Sequence, residues 1–256
     1  ASIGSEIIVK VYESYIVQRA QHRATLKTEL AATQIANRLA SAIPGTVVRR
    51  TALSAGAGEV IEGINDFMSR QGENYIALQW VGSDNDSFNY QNSTNPGWSG
   101  FCDINASTKS TISTPGSNLV LTDTIIKNLG ETGGIANASI YFPEDNAVHN
   151  ISTGTGETIT LDNNASRIVE HYKLAWSSYA LVVEDDDSDG LEDLFLYHHY
   201  VPSPAATIGS TKSLLLKNVK NFKFQGAGRT IRFKICKQEN IGEDFNITSC
   251  KEKAVF

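Results

Sequence analysis

The chain has 256 residues, of which 41% are hydrophobic and 20% are charged, enough for one domain or two small ones with a real core. Its net charge of -6 and pI near 5.4 argue against general nucleic-acid binding, which requires a concentrated basic patch. The sequence contains no run of about eighteen apolar residues, so we expect no segment of it to span a bilayer.

The beginning of the chain predicts one long helix. Residues 5–43 contain neither glycine nor proline until Pro44 and Gly45 end the run, and apolar residues recur at helical spacing. At 1.5 Å per residue such a helix is roughly 60 Å long, about twice the width of a small domain. We therefore expect residues 1–45 to form a stalk helix that projects from a head formed by residues 46–256.

The two halves of this helix differ. Residues 6–17 are mostly apolar or β-branched around the helix, which suits a helix buried in a bundle or entering a membrane. Residues 18–42 are amphipathic, and a sheet can cover their apolar stripe. The simpler interpretation is a helix packed on its own domain; the sharper one is a stalk whose N-terminal half contacts other subunits. The apolar positions expected in the second half are Leu26, Leu30, Ile35, Leu39 and Ile43.

The rest of the chain predicts strands. Short apolar alternations separated by turn residues indicate an antiparallel meander, with one short helix over 122–129. Residues 82–117 are rich in Asn, Ser, Asp, Thr and Gly and predict a long surface loop, and 230–256 predict a C-terminal hairpin. The predicted fold class is therefore α+β, with a long N-terminal helix packed on an antiparallel β-rich head.

The acidic segment 184–193 is the most specific motif. Its residues match positions 1, 3, 5, 7 and 9 of a calcium loop, where alternate oxygens point at one hard cation. Leu196 stands where such loops carry a bidentate Glu, and the flanks are strands, so the motif predicts a simpler Ca²⁺ loop and not an EF-hand. A solvated acidic turn is the alternative. The candidate ligands are Asp185, Asp187, Asp189, the Leu191 carbonyl and Asp193.

The three cysteines allow one disulfide. Cys236 ends a strand-like run and Cys250 follows a second one, so a bridge that closes a terminal hairpin is geometrically reasonable. A loop of this size would add about 3 kcal/mol to stability. Cys102 is then a free thiol. The alternative is three reduced, buried cysteines in a cytosolic protein.

Seven Asn-X-Ser/Thr sequons occur, and three of them have an aspartate two residues before the asparagine. This longer pattern resembles the bacterial N-glycosylation consensus, while ordinary Asn- and Ser-rich surface loops are the alternative. The three asparagines concerned are Asn105, Asn164 and Asn246.

No motif supports an enzyme. The sequence has no HExxH, nucleophile elbow, phosphate loop or GxGxxG. His198 and His199 are adjacent in a predicted strand, and alternation would place them on opposite faces, where they cannot bind one metal together.

A long helix with an apolar leading half, an antiparallel head and a C-terminal cysteine pair together resemble type IV pilins and the pseudopilins of type II secretion. Residues 213–224 and 228–234 resemble minor pilins of the J or W type, and 248–256 resemble proteins with a prepilin-type cleavage/methylation domain. The prepilin peptidase site and the start of the family's membrane helix are absent, and Glu6 does not match the family's assembly glutamate. The resemblance implies an inner-membrane anchor that precedes Ala1.

The resemblance also implies a function: a non-enzymatic filament subunit of a type II secretion or type IV pilus-like machine, at assembly initiation or at the tip. Its partners would be other subunits, bound through the helix and the head, in the envelope of a Gram-negative bacterium. No nucleic acid is expected as primary partner. One alternative is a minor pilin for DNA uptake or adhesion; another is a periplasmic carbohydrate-binding or hydrolytic domain with Trp80, Trp98 and Trp176 as sugar platforms.

Overall fold

The computed structural model describes residues 2–53, 58–66, 75–92, 94–143, 145, 147–242 and 245–256. Its helices are α1 (Ser2–Leu39), α2 (Asn85–Asn89) and α3 (Leu119–Asn128), with a 3-10 turn at Gly134–Asn137. The strands are β1 (Val48–Arg50), β2 (Ile61–Gly63), β3 (Ala77–Gly82), β4 (Gln91–Asn92), β5 (Asn95–Pro96), β6 (Thr111–Ser113), β7 (Ser139–Tyr141), β8 (His149–Thr155), β9 (Thr158–Leu161), β10 (Lys173–Ala175), β11 (Ser177–Glu184), β12 (Asp193–Tyr200), β13 (Lys212–Leu216), β14 (Val219–Ala227), β15 (Thr230–Gly242) and β16 (Phe245–Val255).

These strands form sheets with the orders β13-β12-β11-β3-β1-β2, β10-β7-β8-β9-β6 and β14-β15-β16, and β4 pairs with β5. The chain divides into two compact units. The helix unit comprises residues 1–40, 181–196 and 213–256, and the large unit comprises 41–180 and 197–212. The long helix therefore belongs to one unit with the C-terminal strands.

The predicted α+β class is wrong. The chain is mostly antiparallel sheet and only 24% helical, with one long helix at its beginning. Most of the buried apolar side chains lie on or between strands, because the helix presents only a narrow stripe of side chains to its sheet. None of the described helices is both long enough and apolar enough to cross a lipid bilayer.

The segment 82–117, expected as a surface loop, contains α2, β4, β5 and β6. Three of its apolar side chains, Trp98, Cys102 and Ile112, lie in the main hydrophobic core of the large unit. The Trp98 indole N–H donates to the Asp84 carbonyl at 3.1 Å, so its one polar atom is satisfied inside. Buried aromatic and apolar residues between polar stretches thus turn an apparent loop into part of the core.

Helix α3 begins earlier than the sequence pattern predicts. The Asn118 side chain accepts a hydrogen bond from the Leu121 N–H at 3.2 Å, and this N-cap satisfies one of the free N–H groups of the first turn. Residues 119–121, which the sequence pattern left outside the helix predicted over 122–129, are therefore the first turn of α3.

Candidate functional site

The second half of α1 packs on the hairpin β15–β16 through small side chains. Its buried positions recur every three or four residues, so they share one side of the helix. They are Ala20, Ala24, Thr28, Ala31, Ala32, Ile35 and Leu39. Leu26 and Leu30, which the spacing placed in the buried stripe, are each 55% exposed, so that part of the prediction is wrong. Alanines allow the helix to lie close to the strands, and the leucines face away from them.

Polar contacts fix the register of α1 on the sheet. Glu29 pairs with Lys251 at 3.1 Å and with Lys253 at 2.9 Å. These lysine ammonium groups lower the pKa of Glu29 below its ordinary value of 4.5. The Thr25 and Ser249 hydroxyls are 3.3 Å apart. Contacts thus advance along α1 and β16 together, so the helix and the last strand run in the same direction.

The first half of α1 is exposed along its length, because every residue from 4 to 16 is solvent-exposed. Seven of these residues are large and apolar: Ile7, Ile8, Val9, Val11, Tyr12, Tyr15 and Ile16, with 37–71% of each residue's surface exposed. This helical segment of thirteen residues is roughly 20 Å long. Exposed apolar surfaces are typical of sites that contact another protein or a membrane.

Helical geometry gives this surface a direction. At about 100° per residue, the seven apolar side chains span an arc of about 200°. The remaining side of the same segment carries Glu6, Lys10, Glu13 and Ser14. The buried stripe of the second half lies on that polar side, whereas Leu26 and Leu30 lie within the apolar arc. Residues 6–17 were expected to be apolar on all sides of the helix. Instead, one apolar face runs along α1 on the side away from the sheet.

The acidic loop between β11 and β12 brings three of its five predicted ligands together. One carboxylate oxygen from each of Asp185, Asp187 and Asp189 lies within 4.8 Å of the other two. The backbone produces this convergence, since the Asp185 carboxylate accepts from the Asp189 N–H at 3.2 Å and the Gly190 N–H at 3.0 Å. Converging carboxylates are the ligands that Ca²⁺ prefers.

The other two predicted ligands are placed differently. Asp193 is buried, accepts a hydrogen bond from the Asn218 N–H at 2.9 Å and is not part of the carboxylate group. Leu191 enters the loop through its N–H, which donates to Asp189 at 2.8 Å. The Lys217 ammonium lies 3.5 Å from Asp187 and 3.9 Å from Asp193. A protein cation therefore already neutralises part of the loop's charge.

Cys236 and Cys250 are bonded to each other across the C-terminal hairpin. They occupy directly opposite positions of β15 and β16, with their Cα atoms 4.0 Å apart. Cys102 is a buried free thiol, and burial raises its pKa. The sequon asparagines Asn105, Asn164 and Asn246 are all exposed.

The histidine pair does not follow the predicted alternation. His199 has a φ of 57°, which reverses its side chain so that the Nδ1 atoms of His198 and His199 contact each other. His199 Nε2 lies 2.7 Å from the Leu129 carbonyl. A carbonyl only accepts, so His199 Nε2 is the donor of this hydrogen bond. The expectation of opposite faces is therefore wrong, and the pair joins β12 to the end of α3.

The three tryptophans are not available as sugar platforms. Trp80 is 0%, Trp98 1% and Trp176 7% exposed. Trp98 packs against Phe88 and Tyr172 within the large unit. A stacking platform needs an exposed ring face, and none of these rings presents one.

Sequence reasoning missed a buried charge network in β1. Arg50 is 1% exposed and pairs with Glu59 at 2.5 Å, while the neighbouring Arg49 pairs with Glu62 at 2.8 Å. Arg50 Nη1 also donates to Gln79 Oε1 at 2.8 Å and to the Ala206 carbonyl at 2.7 Å. The signal available in the sequence was two adjacent arginines in an apolar strand followed by two nearby glutamates. Their donors are largely used within the protein, so the network is structural.

Comparison with known proteins adds no relative: no family model, no curated protein and no solved structure matches this chain.

Proposed function

We propose that this chain is a non-enzymatic structural subunit of a type II secretion or type IV pilus-like filament, acting at assembly initiation or at the tip. The observation that carries this proposal is the apolar face of α1. The helix is anchored by its second half and offers Ile, Val and Tyr side chains to solvent from its first half. A helix fixed at one end and apolar at the other suits packing between subunits.

The spacing of the apolar face favours another helix as the partner. Ile8, Tyr12 and Tyr15 follow one another at steps of four and three residues, and Leu26 and Leu30 are four residues apart. Arg19 and His22 divide the eleven-residue step between the two groups into steps of four, three and four. Steps of three and four bring residues to one seam, the arrangement by which helices pack side by side. The partners in the proposal are therefore the α1 helices of other subunits.

Two further observations support the assignment. The disulfide between Cys236 and Cys250 fits an oxidising compartment, and the proposed location, the cell envelope of a Gram-negative bacterium, is one such compartment. The burial of the three tryptophans removes the sequence feature that favoured a carbohydrate-binding or hydrolytic domain.

The test is self-association of the chain in 1 M NaCl, where charge contacts between exposed groups are screened over about 3 Å. Sedimentation should show oligomers for the wild type and a monomer for Ile8→Glu with Tyr12→Glu. The matched control is Glu6→Gln with Lys10→Gln on the polar side of the same helix, which should associate like the wild type. A wild type that stays monomeric at millimolar concentration, or equal loss in the control, would refute the proposal.

Calcium binding by the acidic loop stays a prediction of its own. Ca²⁺ should raise the melting temperature of the wild type, because a ligand bound only by the folded state stabilises it. Asp187→Ala with Asp189→Ala should abolish this response, whereas Glu252→Ala, an exposed carboxylate outside the loop, should keep it. If Ca²⁺ leaves the wild-type melting temperature unchanged, the loop is a solvated acidic turn.

A further inference from the structure

The positive charge of the chain is concentrated in one segment. Residues 194–238 contain eight of the 22 Lys and Arg residues and no Asp or Glu. The rest of the chain therefore carries all 28 acidic residues against fourteen cations. An overall net charge of -6 conceals this separation.

The fold places part of this charge on one open face of the three-stranded sheet. Lys223 on β14 stands directly opposite Lys234 on β15, and Arg232 is two residues from Lys234 on the same strand, hence on the same face. All three side chains are exposed. We name Lys223, Arg232 and Lys234 the basic face. The helix contacts Ser249, Lys251 and Lys253, which alternate with the exposed residues of β16, so α1 covers the opposite face.

The cations on the two faces of this sheet differ in whether they form ion pairs. On the helix side, Lys251 and Lys253 pair with Glu29, and Lys237 lies 3.9 Å from Glu239. On the basic face, no described residue forms an ion pair with Lys223, Arg232 or Lys234; the nearest carboxylate in register is Glu252, opposite Lys234. Like charges directly opposite each other in a sheet are destabilising. The basic face thus costs stability within the subunit and has charge left for a partner.

We infer that the basic face binds the acidic loop 184–193 of a second copy of this chain. The charges of the two surfaces are complementary. The loop carries seven carboxylates and no cation within ten residues, and its aspartates 185, 186, 187 and 189 are exposed. The two surfaces are different parts of the helix unit. A contact between different surfaces is heterologous, and repetition of such a contact gives an open chain of subunits unless the rotation closes a ring.

This contact is separate from the packing of α1 helices. Apolar contacts survive high salt, whereas exposed ion pairs weaken as the Debye length falls from about 10 Å at 0.1 M to about 3 Å at 1 M. The charge contact is therefore measured at 0.05 M NaCl with a chelator present, so that Ca²⁺ does not compete for the loop. To silence helix packing, every variant also carries Ile8→Glu with Tyr12→Glu.

The experiment uses two charge-reversed variants and their mixture. The face variant is Lys223→Glu, Arg232→Glu and Lys234→Glu. The loop variant replaces the four exposed aspartates of the loop by lysine, which changes the net charge of residues 184–193 from -7 to +1: Asp185→Lys, Asp186→Lys, Asp187→Lys and Asp189→Lys. By sedimentation, each variant alone should associate at least about tenfold more weakly than the unreversed protein. In the equimolar mixture, association should return, because reversed loop meets reversed face while native loop meets native face.

The matched control is Lys109→Glu, Arg167→Glu and Lys173→Glu, three exposed cations of the large unit with the same change in net charge as the face variant. It should associate like the reference protein, which carries only Ile8→Glu with Tyr12→Glu. If association weakens equally in this control, general charge repulsion is the cause and the inference is overturned. The inference is also overturned if the reference protein stays monomeric at low salt or if the mixture of the two variants stays dissociated. Far-UV circular dichroism checks that each variant is folded. Because helix packing is silenced throughout, these outcomes are independent of the high-salt test of filament assembly.

Discussion

The two halves of α1 differ in which side chains they bury. In the second half, four alanines, Thr28, Ile35 and Leu39 are buried, whereas Leu26 and Leu30 are exposed. In the first half, isoleucine, valine and tyrosine side chains are exposed. One continuous helix therefore has its most apolar face in water and its least bulky face against the sheet. Within this chain, the closeness with which helix and sheet approach each other decides which face is buried, and the apolar face of α1 stays exposed.

The largest effect should come from the packed half. Ile35 is fully buried, so Ile35→Ala removes buried methyl groups and leaves a cavity, at a cost of about 2–5 kcal/mol. Urea unfolding followed by circular dichroism measures this loss in the free energy of unfolding. A change below about 0.5 kcal/mol would mean that the second half of α1 is not packed as described.

Loss of the disulfide tests the stability of the hairpin β15–β16, on which the second half of α1 packs. Cys236→Ala with Cys250→Ala opens a loop of fourteen residues' separation and should cost about 3 kcal/mol through the greater freedom of the unfolded chain. The same urea titration measures this loss in the free energy of unfolding, and reduction of the disulfide in the wild type should cause most of the same loss. Unchanged stability on both routes would show that the bond contributes nothing to the hairpin.

A smaller effect should appear in acid. The pKa of Glu29 is lower in the folded state than its ordinary value of 4.5, so its contribution is present above pH 4.5 and is lost as the pH falls through the folded value. Glu29→Gln should therefore destabilise the protein at pH 6 and narrow its difference from the wild type at pH 3. Glu13→Gln, in the exposed half, is the control and should show no such convergence. Parallel pH profiles for wild type and Glu29→Gln would contradict the ion pairs.

The smallest effect on stability is expected in the exposed half. Ile8 is 71% exposed, so Ile8→Ala should change the free energy of unfolding by no more than about 0.5 kcal/mol. Ile35→Ala is the same substitution in the packed half of the same helix, so the difference between the two stability losses compares the two halves directly. A loss near that of Ile35→Ala would place Ile8 in a packed core.

The sequence predicted the long helix because residues 5–43 contain neither glycine nor proline, but α1 ends at Leu39, so Ile43 lies outside it. It mispredicted the buried stripe because Leu26 and Leu30 are the more apolar residues, whereas the sheet accepts the smaller Ala24 and Thr28. Hydrophobicity indicates which residues prefer burial but not how close two backbones must approach.

The candidate site residues also divide into those that the sequence could place and those that it could not. Spacing alone brought Asp185, Asp187 and Asp189 together, since the ligand pattern is local. It could not place Asp193, because the Asn218 N–H that binds it lies 25 residues further along the chain. His199 failed for a different reason: its positive φ is a backbone choice that alternation of side chains does not reveal.

The disulfide bond between β15 and β16 also limits whether two copies of this chain can exchange a strand. Strand β16 lies at the edge of its sheet, and a long edge strand is a natural element for swapping into the same place in a neighbour. The bond from Cys250 to Cys236 is in the middle of that strand, so β16 stays with its own hairpin while the bond is intact. Under reducing conditions the strand is held by hydrogen bonds and helix contacts alone, and interlocked dimers become accessible.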